Sequence, residues 1–94
     1  MNTFDERMEQ LQTRFRLRAV ADRERLLAAL AASDLDEIRC IAHGLSGSGG
    51  VFGFTEISKA AERVELAVDE GGMQVVRDEA ATLLGALAAL AQPL

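Results

Sequence analysis

Ile41-Ala-His-Gly-Leu-Ser-Gly-Ser-Gly-Gly-Val-Phe-Gly53 is a glycine-rich stretch that still carries the pattern of a helix. It holds the only histidine, His43, and five of the eight glycines fall between Gly44 and Gly53. Ile38, Ile41 or Ala42, Leu45 and Phe52 nevertheless recur at spacings of three, four and seven, which marks one buried stripe. A helix interior loses roughly 0.8–1 kcal/mol per glycine relative to alanine. Several glycines in such a place imply that the missing side chains serve a purpose.

With His43 as position i, the same helical face holds Ser46 at i+3, Gly47 at i+4 and Gly50 at i+7. Leu45 and Phe52 take the seam, so His43 and Gly50 stand opposite it, on the solvent side. The imidazole then rises over a floor stripped of bulk, which another protein's surface can approach closely. A lone helical histidine is, by itself, most simply a surface residue, and dense glycines by themselves mark a loop or a helix end. A phosphate-cradling loop does not fit, because no Walker-type Gly-Lys-Ser/Thr occurs and no strand pattern precedes the stretch. Periodicity that runs through to Phe52 favours the helix.

Working outward, the 94 residues suit one domain, spanning 1–94, that buries enough apolar surface to fold alone. Alanine, leucine and valine dominate, there is one proline, and apolar and polar residues do not alternate, so the composition is all-α. The net charge of −5 argues against a nucleic-acid partner. The single Cys40 cannot form an internal disulfide, and no Cys/His cluster offers a metal site. The first residues lack a signal-peptide core, and no run reaches the ~18 apolar residues of a membrane span. These features predict a cytoplasmic, reduced chain with no membrane contact.

Phe4, Met8, Leu11 and Phe15 form a helical stripe behind Thr3 as the expected N-cap. After Leu17 and Val20 the stripe breaks at Asp22-Arg23-Glu24-Arg25 and resumes at Leu26, Leu27 and Leu30. One long helix, or a short one bent into a second near residues 18–23, fits this pattern. Five of the ten basic residues lie between Arg14 and Arg25, either as a solvated face or as a patch for an acidic partner. Ser33 or Asp34 caps the next helix, with Asp34 and Glu37 at capping-box spacing, and that helix runs from about Leu35 to Phe52. Gly53 and Phe54 make a turn, Thr55 caps a third helix with the stripe Phe54, Ile57, Ala61, Val64 and Val68, and Gly71-Gly72 ends it in left-handed conformation. A fourth carries Met73, Val76, Ala80, Leu83, Leu84, Leu87 and Leu90 and stops before Pro93. Short connections imply antiparallel neighbours, hence an antiparallel four-helix bundle with a possible bent or extra N-terminal helix.

That pairing has a consequence for the second and third helices. If their turn centres near Phe54, His43 lies eleven residues before it and Glu65 eleven after, side by side. A carboxylate on one ring nitrogen fixes the tautomer and leaves the other nitrogen free to attack. Glu65 is either that orienting group or an ordinary exposed helix acid.

Ala42-His43-Gly44-Leu45-Ser46-Gly47, followed by Gly50, Phe52 and Gly53, resembles the signature of histidine phosphotransfer (HPt) domains. That signature runs Ala-His-x-Leu-Lys-Gly, then small residues, then a hydrophobic residue and a glycine ten after the histidine. Val64-Glu65 falls where the family has an aliphatic residue and an acid or amide, and the likeness in length and helix order covers nearly the whole chain. The resemblance implies that His43 takes a phosphoryl group from a phospho-aspartate on a response-regulator receiver domain and passes it to another receiver. Gly44, Gly47 and Gly50, with Lys59, would form the receiver-docking face.

Such transfer asks for in-line geometry and charge stabilisation. The chain offers a neutral imidazole, a clear approach, no Mg²⁺ cage and no nucleotide site. It therefore reads as a carrier without cofactor, metal or kinase activity of its own, with the metal and acidic pocket on the partner's side. One departure matters: Ser46 stands where the family has lysine, and a hydroxyl replaces a cation. Arg39, one turn before His43, or Lys59 would then supply the charge. Two other functions stay open: a domain charged directly by the ATP-binding domain of a sensor histidine kinase, and a non-catalytic helical adaptor.

Overall fold

The computed structural model describes residues 3–91. Four helices follow one another: α1 (Thr3–Ala31), α2 (Leu35–Val51), α3 (Thr55–Glu70) and α4 (Met73–Ala91), with no strand among the described residues. α1 packs on α2 and α4, and α3 closes the ring against the same two. The bundle expected from the sequence is therefore the fold. Its centre is filled by Leu26, Ile38, Val64, Val76, Leu83 and Leu87, each fully buried. Burial of a side chain of this size contributes roughly 1.5–3 kcal/mol.

The N-terminal third is one unbroken helix of 29 residues and does not bend near residues 18–23. The gap in its apolar pattern has a chemical origin. Phe15, Ala19, Asp22, Leu26 and Ala29 keep the core spacing, and Asp22 sits in the seam at 7% exposure. Leu17 and Val20, expected in the stripe, point outward at 70% and 51%. Arg25 reaches back to within 3.6 Å of the Asp22 carboxylate and donates a hydrogen bond to Glu37 of α2, which raises its own pKa above the usual guanidinium value. Helical rotation sends Arg14, Arg18 and Arg25 to one flank of the stripe and Arg16 and Arg23 to the other. The basic run thus makes no single patch.

Thr3 is the first helical residue of α1 rather than its cap, and the positions before it lie outside the described residues. α1 meets the α2–α3 turn at Gln12, whose side-chain amide donates to the Phe52 carbonyl at 2.9 Å. Phe15 stacks on Phe54 with ring centroids 4.8 Å apart and meets Phe52 edge-on at 6.1 Å. Toward the start of α1, Phe4 is exposed and Met8 and Leu11 are half-buried.

Both joints flanking α2 close by the same device. At the first, the amide of Asp34 donates to Ala29 and that of Ser33 to Leu30, with Ser33 in the left-handed region at φ 52°. This is a Schellman ending, which assigns Ser33 to the end of α1 and leaves Asp34 as the cap of α2. The Asp34 carboxylate accepts from the Glu37 amide at 3.1 Å, half of a capping box, because the Glu37 side chain is drawn to Arg25. At the second joint Phe54 donates to Gly49 and Gly53 to Gly50, with Gly53 at φ 85°. The motif takes both Gly53 and Phe54, so Phe54 occupies the cap position of α3 and Thr55, expected there, is already helical.

α4 begins beyond Gly71 and Gly72, and neither is left-handed. Gly71 is extended, and a Cβ on it would lie 3.0 Å from the Val75 side chain, so close packing explains this glycine. Pro93 lies outside the described residues.

Candidate functional site

α2 shows two faces along its glycine stretch. Inside, Ile38, Ala42 and Leu45 enter the core and Gly49 follows them. A Cβ on Gly49 would stand 3.2 Å from the Phe54 carbonyl and from the Ser58 amide nitrogen, so α3 comes in backbone against backbone. Outside, no atom lies within 4 Å of where a Cβ on Gly44 or Gly47 would be, and a Cβ on Gly50 would make only an ordinary contact with Ser58 Oγ. Sequence reasoning missed Gly49, which falls in the stripe between Leu45 and Phe52 but has no apolar side chain to announce it.

With this close approach the two helices pair in ordered rungs. His43 and Glu65, Arg39 and Asp69, and Gly50 and Ser58 each sit at equal distances from Phe54 along the chain and each pair meets. The Ser58 hydroxyl donates to the Ser46 carbonyl at 2.8 Å and pins α3 to the half-buried turn that follows His43.

The His43 rung is the chemical centre. Nδ1 lies 3.0 Å from Glu65 Oε2. An ionised carboxylate can only accept, so Nδ1 carries the hydrogen and Nε2 keeps its lone pair. The imidazole is 81% exposed and the carboxylate only 20%. The anchor is thus sheltered while the ring itself stands open to solvent. A hydrogen bond this open adds little to stability, but it favours one tautomer of the ring.

Around the ring, Asp36, Arg39, Cys40 and Glu65 complete a shallow groove. Arg39 is the only cation among the described residues that line it, and its Nη2 is 3.2 Å from Asp69 Oδ2 on α3. Lys59 lies on the exposed side of α3, in a neighbouring groove that it shares with Glu62, Arg63, Leu66 and the two acids Glu65 and Asp69, and that His43 does not line. The arrangement brings together His43, Glu65 and Arg39 with Gly44, Gly47 and Gly50 beside them, and sets Lys59 on the far side of Glu65, in the adjoining groove. Sequence reasoning missed Asp69, although it lies as far after Phe54 as Arg39 lies before it.

This arrangement leaves one imidazole nitrogen exposed while a carboxylate holds the other from behind. The family model for the Hpt domain matches residues 5–93. No curated protein and no solved structure matches the chain. No helix among the described residues is long and apolar enough to cross a membrane.

Proposed function

Because the chain belongs to the Hpt domain family, the histidine phosphotransfer carriers of phosphorelays, we propose that residues 1–94 form one such carrier domain that accepts a phosphoryl group on His43 from a receiver-domain phospho-aspartate and passes it to another receiver. The observation that carries this reading is the 3.0 Å contact of His43 Nδ1 with Glu65, which leaves Nε2 as the exposed nucleophile.

In the forward step the Nε2 lone pair attacks the phosphorus of the receiver's aspartyl phosphate. An N–P bond forms as the P–O bond to the aspartyl carboxyl breaks, and the aspartate leaves as a carboxylate. The ring becomes cationic with its Nδ1 hydrogen in place, and Glu65 stabilises that charge through a charge-assisted hydrogen bond. The return step to a second receiver is the same exchange reversed. Gly44, Gly47 and Gly50 let the partner come close enough for in-line approach. Ser46 offers a neutral hydroxyl where a cation is usual, and Arg39 is the nearby group able to balance the phosphoryl charge. Lys59, outside the groove, borders the docking face. The domain works as a phosphoryl carrier in the cytoplasm, without kinase activity or cofactor, alongside receiver domains or a sensor histidine kinase.

The test mixes the purified domain with receiver domains charged by a small phosphodonor and seeks acid-labile, base-stable phosphate on the wild type and on His43→Gln. Label on the wild type alone is expected. Label retained by His43→Gln sinks the assignment of His43. A folded wild type that no receiver labels sinks the receiver-to-receiver reading. Labelling by an ATP-loaded kinase domain would then mark a kinase-charged domain, and none from either source would mark an adaptor.

A further inference from the structure

The cation that faces the phosphoryl site is already engaged. Arg39 lies one turn before His43 on α2, and neighbours four apart on a helix stand about 5–6 Å from one another at Cβ. Its guanidinium, however, is tied across the helix pair to Asp69, which lies one turn beyond Glu65 on α3. The two rungs stand side by side: a histidine on its orienting acid, and an arginine on an acid that orients nothing in the core. Both members of the Arg39–Asp69 pair are about half exposed, so the pair is weak and can open. The other charged groups bordering the groove are the acids Asp36 and Glu65.

We infer that Asp69 is a positioning residue that holds Arg39 away from Nε2 of His43 and competes with the phosphoryl group for it. The inference rests on the carrier reading of His43. A phosphoryl group on Nε2 brings nearly two negative charges and three acceptor oxygens into a groove whose guanidinium suits bidentate pairing with such oxygens. Arg39 leaves Asp69 to make that pairing, and Asp69 then loses its ion-pair partner beside a second anion, with Lys59 and Arg63 in the adjoining groove as the remaining cations. Asp69 therefore lowers the stability of phosphohistidine relative to the free imidazole and favours onward transfer. A chain with Ser46 and no cation at i+3 thus keeps the one cation that lines the His43 groove on a competing acid.

The test loads the full chain with phosphoramidate, which needs no receiver, and follows phosphohistidine lifetime in four proteins: wild type, Asp69→Asn, Arg39→Gln and the double variant. Asp69→Asn is expected to lengthen the lifetime roughly twofold to fivefold, the scale of one exposed ion pair. Arg39→Gln shortens it, Asp69→Asn has no effect in the Arg39→Gln background, and Asp69→Glu restores the wild-type value. Because the Asn variant keeps the shape of the side chain, a merely structural role would move the melting temperature and leave this pattern of lifetimes absent. An equal lengthening in both backgrounds overturns the inference in favour of plain through-space repulsion, and an unchanged or shortened lifetime in Asp69→Asn overturns it outright. A His43 that takes no phosphate from phosphoramidate overturns it as well. Receiver transfer is scored separately, so failure there bears on the carrier reading alone.

Discussion

Gly47 and Gly49 stand two residues apart on α2 and meet opposite surroundings. Around Gly49 a Cβ would press on two backbone atoms of the α3 entry at 3.2 Å, whereas around Gly47 it would find nothing within 4 Å. Both forgo the helix preference of alanine, but only one does so for the sake of this chain's own packing. The inner glycine sets how near α3 can lie, and hence whether Glu65 reaches His43. The outer one touches nothing in this chain, and the proposed docking of a partner is what would give it a use.

Three substitutions can break or sharpen that contrast. Gly49→Val adds a branched side chain where backbone blocks it, and overpacking of this kind costs about 1–3 kcal/mol. A thermal melt is expected to fall by roughly 4–8 °C for each kcal/mol lost in a domain of this size, and a wild-type melting temperature would mean that the helices have room to spare.

Gly47→Leu should do the reverse to stability, raising it by up to about 0.8 kcal/mol through helix preference. Receiver-to-His43 transfer is expected to drop by about tenfold, equivalent to about 1.4 kcal/mol in the transition state, while loading by phosphoramidate stays unchanged. Transfer at the wild-type rate would show that the glycine floor is not a docking surface.

Arg25→Gln removes a connection between α1 and α2 remote from the site, and exposed pairs of this kind are worth under about 1 kcal/mol. The melting temperature should slip by a few degrees, less so at high salt, and phosphotransfer should not change. Since the partner Glu37 raises the Arg25 pKa, the guanidinium's contribution is present below its unfolded-state value and is lost only as pH rises through the folded one. Melts across the neutral range should therefore show no step from Arg25 itself.

How much of this was legible in the sequence follows from what periodicity can carry. Four helices, a cap at Ser33 or Asp34 and the side-by-side placing of His43 and Glu65 all follow from spacing, and the structure picks Asp34. The unity of α1 did not, because the core position at Asp22 is filled by an acid, which reads as an interruption although the backbone continues. Thr55 looked like a cap because Thr often is one, but the Schellman ending at Gly53 and Phe54 leaves no residue free for that task. The pair Gly71-Gly72 carries a helix-stop signal whose left-handed version is common, yet here the need was for clearance against Val75. Arg39 could be placed beside His43, whereas its capture by Asp69 depends on side-chain reach across two helices, which no linear pattern records.

The rungs also make the α2–α3 turn a measured interval. Each pair is matched by its distance from Phe54, so one residue added to or removed from the turn would rotate all of α3 by about 100° relative to α2. Glu65, Asp69 and Ser58 would leave their partners together, although no partner had been substituted. Within this hairpin the spacing between residues is as much a part of the site as their identities. Length variation should therefore be excluded from the turn even where changes of side chain are tolerated.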